Sequence, residues 1–168
     1  ATYHLYGRRL RTSNRLGHTR PLAAGWWDGT TGLDPVDLVV ERGLERGYAH
    51  HIERLMVLGN WFLLQGYHPR EVFDWFSALF VDAYEWVMVP NVQGMSQYAD
   101  GGGVATKPYV SGGAYLQRMG SWWPNDRAAR ESVFTAAYWE FLDTHEEQLA
   151  DNPRLKLALA QMRRRRTP

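Results

Sequence analysis

The chain has 168 residues, enough for one domain with a real core, and a second domain is not expected. It has no cysteine, which excludes a disulfide, a thiolate nucleophile and a thiolate metal site. The net charge of +1 conceals a split: Arg8, Arg9, Arg11, Arg15 and Arg20 stand in the first 20 residues without an acid, Arg163, Arg164, Arg165 and Arg166 close the chain, and the residues between carry a net charge of −8. Basic ends on an acidic body suit contact with a polyanion or an acidic protein surface, and equally suit two solvated termini. No run of about 18 apolar residues occurs, so no membrane span is expected. Ala1 is not followed by a basic segment and an apolar stretch, which argues against a secretory signal, and Ala commonly remains after Met removal. A complete, cytoplasmic gene product is the expectation.

Residues 1–32 are rich in Arg, Gly and Thr without a helical period and read as an extended basic arm. Asp34-Pro35 is a helix start, with Pro in the first turn, where its missing donor costs nothing. The predicted helix runs to about Gln65, burying Val36, Val40, Leu44, Tyr48, Ile52, Leu55 and Leu58, and Gly66 ends it. Pro69 opens a second helix through Trp86, carrying Phe73, Trp75, Phe76, Leu79, Phe80, Tyr84 and Trp86, an apolar load that marks it as central. Pro90 stops it, and Asn91 to Val110 reads as a long polar loop of the kind that often carries function. Ser111 caps a short helix through Met119, Asp126 begins another through His145, and Asn152-Pro153 starts a last one, LKLALAQM, whose four Arg complement its C-terminal dipole. The pattern is all-α: a compact bundle of about five helices over residues 33–162, with the arm at 1–32 and a basic tail at 163–168.

Few residues carry chemistry by spacing alone. Gly101-Gly102-Gly103 lacks the Lys-Ser/Thr continuation of a phosphate loop, which rejects a nucleoside triphosphatase. The six His form no HxxxH pair or ligand triad, so no metal site is expected. Arg54 and Asp82 fall on consecutive antiparallel helices, where an ion pair would lock the two together or present a fixed cation to a ligand. Trp27 and Trp75 are core aromatics by pattern, as is Phe76.

The segments YAHHIERLMVLGN (Tyr48 to Asn60), DAYEW (Asp82 to Trp86), PNVQGMSQYADGG and TKPYVSGGAYL (within Pro90 to Leu116) resemble the flavin-binding helical domain of the photolyase/cryptochrome superfamily, and within it the bacterial iron–sulfur, deoxyribodipyrimidine photolyase-related branch. The resemblance spans roughly Arg20 to Arg154. It implies FAD as cofactor, with Arg54 and Asp82 beside the reactive edge of the isoalloxazine, and with Met88, Asn91, Gln97 and Asp100 among the residues that face the cofactor. It implies that His50, His51, Met95 and Tyr109 line a lesion pocket, where a protonatable imidazole suits acid–base work on a photoproduct. It also implies that Trp27 and Trp75 relay electrons to flavin. The partner implied is DNA carrying a pyrimidine photoproduct, flipped out for repair.

The chain departs from the branch in several places. The four cluster ligands are replaced by Pro35, Trp123, Asp126 and Ser132, so an iron–sulfur cluster is excluded. Met88 stands where a Glu faces flavin N5, and a thioether neither holds nor delivers a proton. Phe76 stands where a Tyr is usual. TSNR at Thr12 to Arg15 is faintly similar to a phosphate-binding loop of other photolyases, out of place. The antenna-binding α/β domain and the early helices that cradle the FAD diphosphate are absent. Two functions follow: a blue-light-driven electron-transfer flavoprotein, for DNA photoproduct repair or photoreception, with a partner chain supplying the missing half of the FAD site; or a flavin-free relative serving as an accessory subunit of a larger complex.

Overall fold

The computed structural model describes residues 2–166. The chain divides into two compact units, the first ending at Tyr109 and the second beginning at Val110. Among the described residues there is no β-strand, only an isolated parallel bridge between Arg20 and Tyr67. The fold is all-α, as the periodicity predicts.

The first unit opens with α1 (Thr2–Thr12). This corrects the extended arm expected over 1–32. Arg and Leu are good helix formers, but among its described residues the helix fully buries only Gly7 and Leu10, which is why no long apolar stripe reveals it. Leu10 is buried, the Ser13 hydroxyl donates to the Arg9 carbonyl at 2.7 Å, and Arg11 pairs with Glu85 at 2.5 Å. A 3₁₀ turn, Ala24–Trp26, sets the Trp26 ring into the core.

Helix α2 (Asp34–Arg46) starts where Asp34-Pro35 predicts. Its start is tied by Asp37, which reaches back to accept from the N–H groups of Thr31, Gly32 and Leu33. The expected continuation to Gln65 breaks at Gly47, whose φ of 62° closes α2 in the left-handed conformation that glycine tolerates. The chain restarts as α3, made of His51–Glu53, a π-helical stretch Arg54–Gly59, and Asn60–Leu64. The buried face of α2 runs through Val36, Val39, Val40 and Gly43 and leaves Leu44 exposed, and beyond the turn at Gly47 Tyr48 and Ile52 are exposed as well, while Leu55 and Leu58 are core.

Helix α4 (Pro69–Leu79) stops seven residues short of Trp86. Phe80 is extended, and the Val81 N–H leaves the helical ladder to donate to the Gly47 carbonyl at 2.9 Å. Val81, Tyr84 and Trp86 are therefore exposed, and Asp82 lies in a turn instead of on the helix. Helix α5 begins at Glu85 (Glu85–Met88) and continues as a second π-helical stretch, Val89–Ser96, so Pro90 stands inside helical structure and the irregular segment begins only after Ser96. Pro at the first turns of a new helix loses no needed donor.

The second unit holds α6 (Gly113–Met119), α7 (Asp126–Arg130), α8 (Val133–Thr144), α9 (Glu146–Leu149) and α10 (Lys156–Arg166). The helix expected over 126–145 is split between Arg130 and Val133. Asn125 caps its first half by accepting from the Ala128 N–H at 2.9 Å. The C-terminal arginines are helical: Arg163 and Arg166 pair with Glu146, Arg166 also with Asp143, and Arg165 lies over the Trp139 ring at 4.9 Å.

Candidate functional site

The two π-helical stretches face each other across one cleft. Arg54 and Leu55 line it from the first; Asn91, Val92 and Ser96 line it from the second. A π turn widens the helix and shifts which side chains share a face, and such turns recur at functional sites. The stretches meet at Gly59, where any Cβ would overlap the Ser96 hydroxyl, so only glycine permits this approach. Phe76, Val87 and Met88 form apolar wall, and Tyr48, His51 and Asp82 stand at the mouth; the cavity is about 120 Å³.

Arg54 dominates the electrostatics. It is 9% exposed, and its guanidinium makes a two-pronged contact with Asp82, Nη1 to Oδ1 at 2.7 Å and Nη2 to Oδ2 at 3.1 Å. Its Nε donates to the Ala49 carbonyl at 2.7 Å. The group lies over the Phe80 ring at 4.0 Å and the Tyr48 ring at 4.9 Å, which fixes its plane by cation–π attraction. The hydrogen bonds from Arg54 hold the Asp82 carboxyl below the usual carboxylate range, with desolvation opposing. At neutral pH the cleft thus presents a rigid, charged guanidinium–carboxylate pair against an apolar wall.

Of the residues proposed from sequence, His51, Arg54, Asp82, Met88 and Asn91 come together here. His50 does not line the cleft: it is exposed, and its Nδ1 accepts from the Ile52 N–H at 3.2 Å as the cap of α3, with Glu53 completing the capping box. Met95 and Tyr109 are half-buried and lie outside the cleft lining. Gln97 is buried beneath the π stretches, donating to the Gly59 carbonyl at 3.2 Å and the Ser96 hydroxyl at 2.9 Å. Asp100 borders a second cavity with Tyr6, Arg9 and Leu10.

Trp75 is fully buried behind Phe76, ring centroids 5.2 Å apart. Trp27 is exposed on the surface. The indole whose ring meets Trp75 is Trp26, at 5.5 Å. Sequence reasoning selects the second residue of the Trp26-Trp27 pair; a turn of three residues decides which ring points inward, and adjacency in sequence carries no signal for it. Tyr48 and Ser96 are cleft residues that sequence reasoning misses.

The geometry can be tested for a flavin. An apolar slot with one buried cation suits the edge of a planar, electron-accepting ring system. The cavity lies below the ~300–1,000 Å³ of pockets that bury a whole drug-sized ligand, so the residues fit the ring and not an entire dinucleotide. Among the described residues no group of three or more His, Asp or Glu is placed to hold a metal ion, and no helix is long and apolar enough to cross a membrane.

An all-α unit built around a buried Arg–Asp cleft is matched by sequence similarity. The chain is 41% identical over 160 residues to the (6-4) photolyase of Agrobacterium fabrum, covering 91% of this chain and 32% of that protein. It is also 38% identical over 64 residues to the uncharacterized protein R855 of Acanthamoeba polyphaga mimivirus, covering 38% of this chain and 52% of that protein. No protein-family model matches. The chain belongs to the photolyase/cryptochrome superfamily, and it spans about a third of the length of the photolyase it resembles.

Proposed function

We propose that this chain is a photolyase/cryptochrome-like flavin-binding unit for light-driven electron transfer, holding the ring system of FAD in the Arg54–Asp82 cleft. The observation that carries the reading is the rigid guanidinium–carboxylate pair, stacked on Phe80 and opening onto an apolar wall that ends in Phe76 and Trp75. A bound flavin supplies light absorption and one-electron chemistry; everything else comes from the chain. Arg54 provides a fixed cation in a site of low dielectric, where it stabilises negative charge on a neighbouring ring without reorganising. Asp82 orients Arg54. Ser96 and Asn91 offer hydrogen-bonding groups in the lining, and Met88, whose thioether carries no exchangeable proton, keeps that side of the slot free of proton transfer. His51 faces the mouth, where an imidazole serves a substrate approaching from outside.

A DNA photoproduct is the substrate this reading implies, given that a (6-4) photolyase is among its relatives, and the basic α1 and α10 are the surfaces for a polyanion. Cofactor diphosphate and adenine must be held by residues beyond the cleft, so completion of the site by residues outside this sequence, in a partner chain or elsewhere in the same polypeptide, belongs to the proposal. The cavity size and the exposed Val81, Tyr84 and Trp86 beside the mouth favour a second reading, in which the chain docks through this rim as a flavin-free accessory subunit.

Equilibrium titration with FAD, followed by flavin fluorescence, separates the two. Saturable quenching that Asp82→Ala weakens supports the first; no quenching at any attainable concentration supports the second.

A further inference from the structure

The second unit carries a basic surface whose charges already have partners. Leu159 and Met162 of α10 are buried, as is Leu155 just before it, so the apolar side of the helix is anchored. The four arginines follow Met162 without interruption, and all are exposed. Arg163 and Arg166 stand three residues apart, which puts them on one face of the helix. One carboxylate spans both: Arg163 Nε donates to Glu146 Oε1 at 2.5 Å, and Arg166 Nη1 donates to Glu146 Oε2 at 2.9 Å. Arg166 also pairs with Asp143. The Glu146 side chain is 22% exposed, against 57% for Arg163 and 51% for Arg166, so the acid sits beneath two guanidinium groups whose outer sides meet water. The hydrogen bond from Arg163 holds the Glu146 carboxyl below its ordinary 4.5, which keeps it ionised at neutral pH.

We propose that the C-terminal end of α10 is a docking surface for the phosphate backbone of DNA, held in a masked state by Glu146 and Asp143. The inference rests on the reading of DNA as a partner and needs no flavin. Phosphates reach Arg163 and Arg166 only by displacing carboxylates that the chain itself supplies.

Three physical points carry the assignment. Ion pairs with half of each guanidinium in water are weak, so they exchange readily. The exchange leaves the helix in its seat, because Leu159 and Met162 hold it whatever the arginines touch. The partner is selected by what displacement gains. An acidic protein surface offers the carboxylate that these arginines already have, and exchanging like for like gains little. A nucleic-acid backbone carries condensed counterions, whose release favours binding. Backbone contacts hold no sequence information. The mask therefore lowers affinity for every duplex by a similar factor, and discrimination is left to groups elsewhere that touch a base.

Fluorescence anisotropy of a short labelled duplex, titrated with the full chain at low salt, tests this. Glu146→Gln keeps the shape and one acceptor, and should tighten binding about two- to tenfold, the range that two exposed ion pairs correspond to. Asp143→Asn, which frees only one contact of Arg166, should give a smaller gain. Glu147→Gln, at the exposed neighbouring acid, changes the net charge equally and should do much less. Adding Arg163→Gln and Arg166→Gln to Glu146→Gln should remove the gain and flatten the slope of log K against log salt by about 1.8, roughly 0.9 for each lost phosphate contact. Circular dichroism checks that each variant is folded. Equal gains in Glu146→Gln and Glu147→Gln, a gain that survives loss of both arginines, a gain as large for polyglutamate as for the duplex, or no duplex binding by Glu146→Gln would overturn the assignment. A duplex carrying a pyrimidine photoproduct, run in parallel, separates the mask from the proposed function. Equal binding of both duplexes with the Glu146→Gln gain intact keeps the mask and refutes the lesion as substrate; a preference for the lesion without that gain does the reverse.

Discussion

Breaking the Arg54–Asp82 pair by a double-mutant cycle, with Arg54→Met, Asp82→Ala and the double variant, measures the coupling that makes the cleft rigid. The two sides of the pair differ: the Arg54 side chain is 10% exposed and that of Asp82 is 47%. Fully exposed pairs couple by about 0.2–1 kcal/mol, and charge-assisted hydrogen bonds contribute ~1.5–3 kcal/mol. With two such bonds present but half of the carboxylate in water, the discounted expectation is about 1–2 kcal/mol at pH 7. Asp82 has its folded pKa below the ordinary value of 3.8, so its contribution is present above about 3.8 and is lost as pH falls through the folded value. Urea denaturation, compared at constant m-value, is the assay. A coupling within error of zero at pH 7, or one that persists unchanged once the carboxyl is protonated, would refute the view that the pair is a rigid ionic element.

Other perturbations follow from the same contacts. Gly59→Ala forces a methyl into the Ser96 hydroxyl and should cost about 1–3 kcal/mol as overpacking; thermal melting checks this, and Ser96→Gly in the same chain should restore part of the loss. Asn125→Ala removes the cap on α7 and should cost ~1 kcal/mol, read as a lower denaturation midpoint. Burial pushes the His145 imidazole below its ordinary 6.5. The unfolded chain therefore binds the proton more readily, stability falls as pH drops below about 6.5, and His145→Asn should flatten that part of the pH–stability curve.

How much of the fold and the cleft is legible in the sequence depends on the kind of signal. Pro and Gly mark the beginnings of α2 and α4 because their backbone limits are local. The break at Gly47 is hidden because the apolar period continues through it: Tyr48 and Ile52 fit a buried stripe with Leu44, yet they follow the left-handed turn at Gly47 and face water, as does Leu44 on the outer side of α2. The same holds for Tyr84 and Trp86, whose apolar character belongs to a rim and not to a core. The Arg54–Asp82 pair is legible through the resemblance, which carries both residues, although Asp82 lies in a turn and not on the helix expected for it. The π turns, and with them Ser96 and the Gly59 contact, leave no periodic trace in a chain whose helices are read at 3.6 residues per turn.

The most direct test of the proposed flavin site is the absorption spectrum of the full chain purified in the dark and then equilibrated with FAD, beside the Arg54→Met variant. The account predicts flavin bands that remain with the wild-type chain through gel filtration, with structured shoulders of a ring removed from water, and their loss from Arg54→Met. A wild-type chain that leaves the column colourless, or an Arg54→Met variant that retains the bands unchanged, would contradict it.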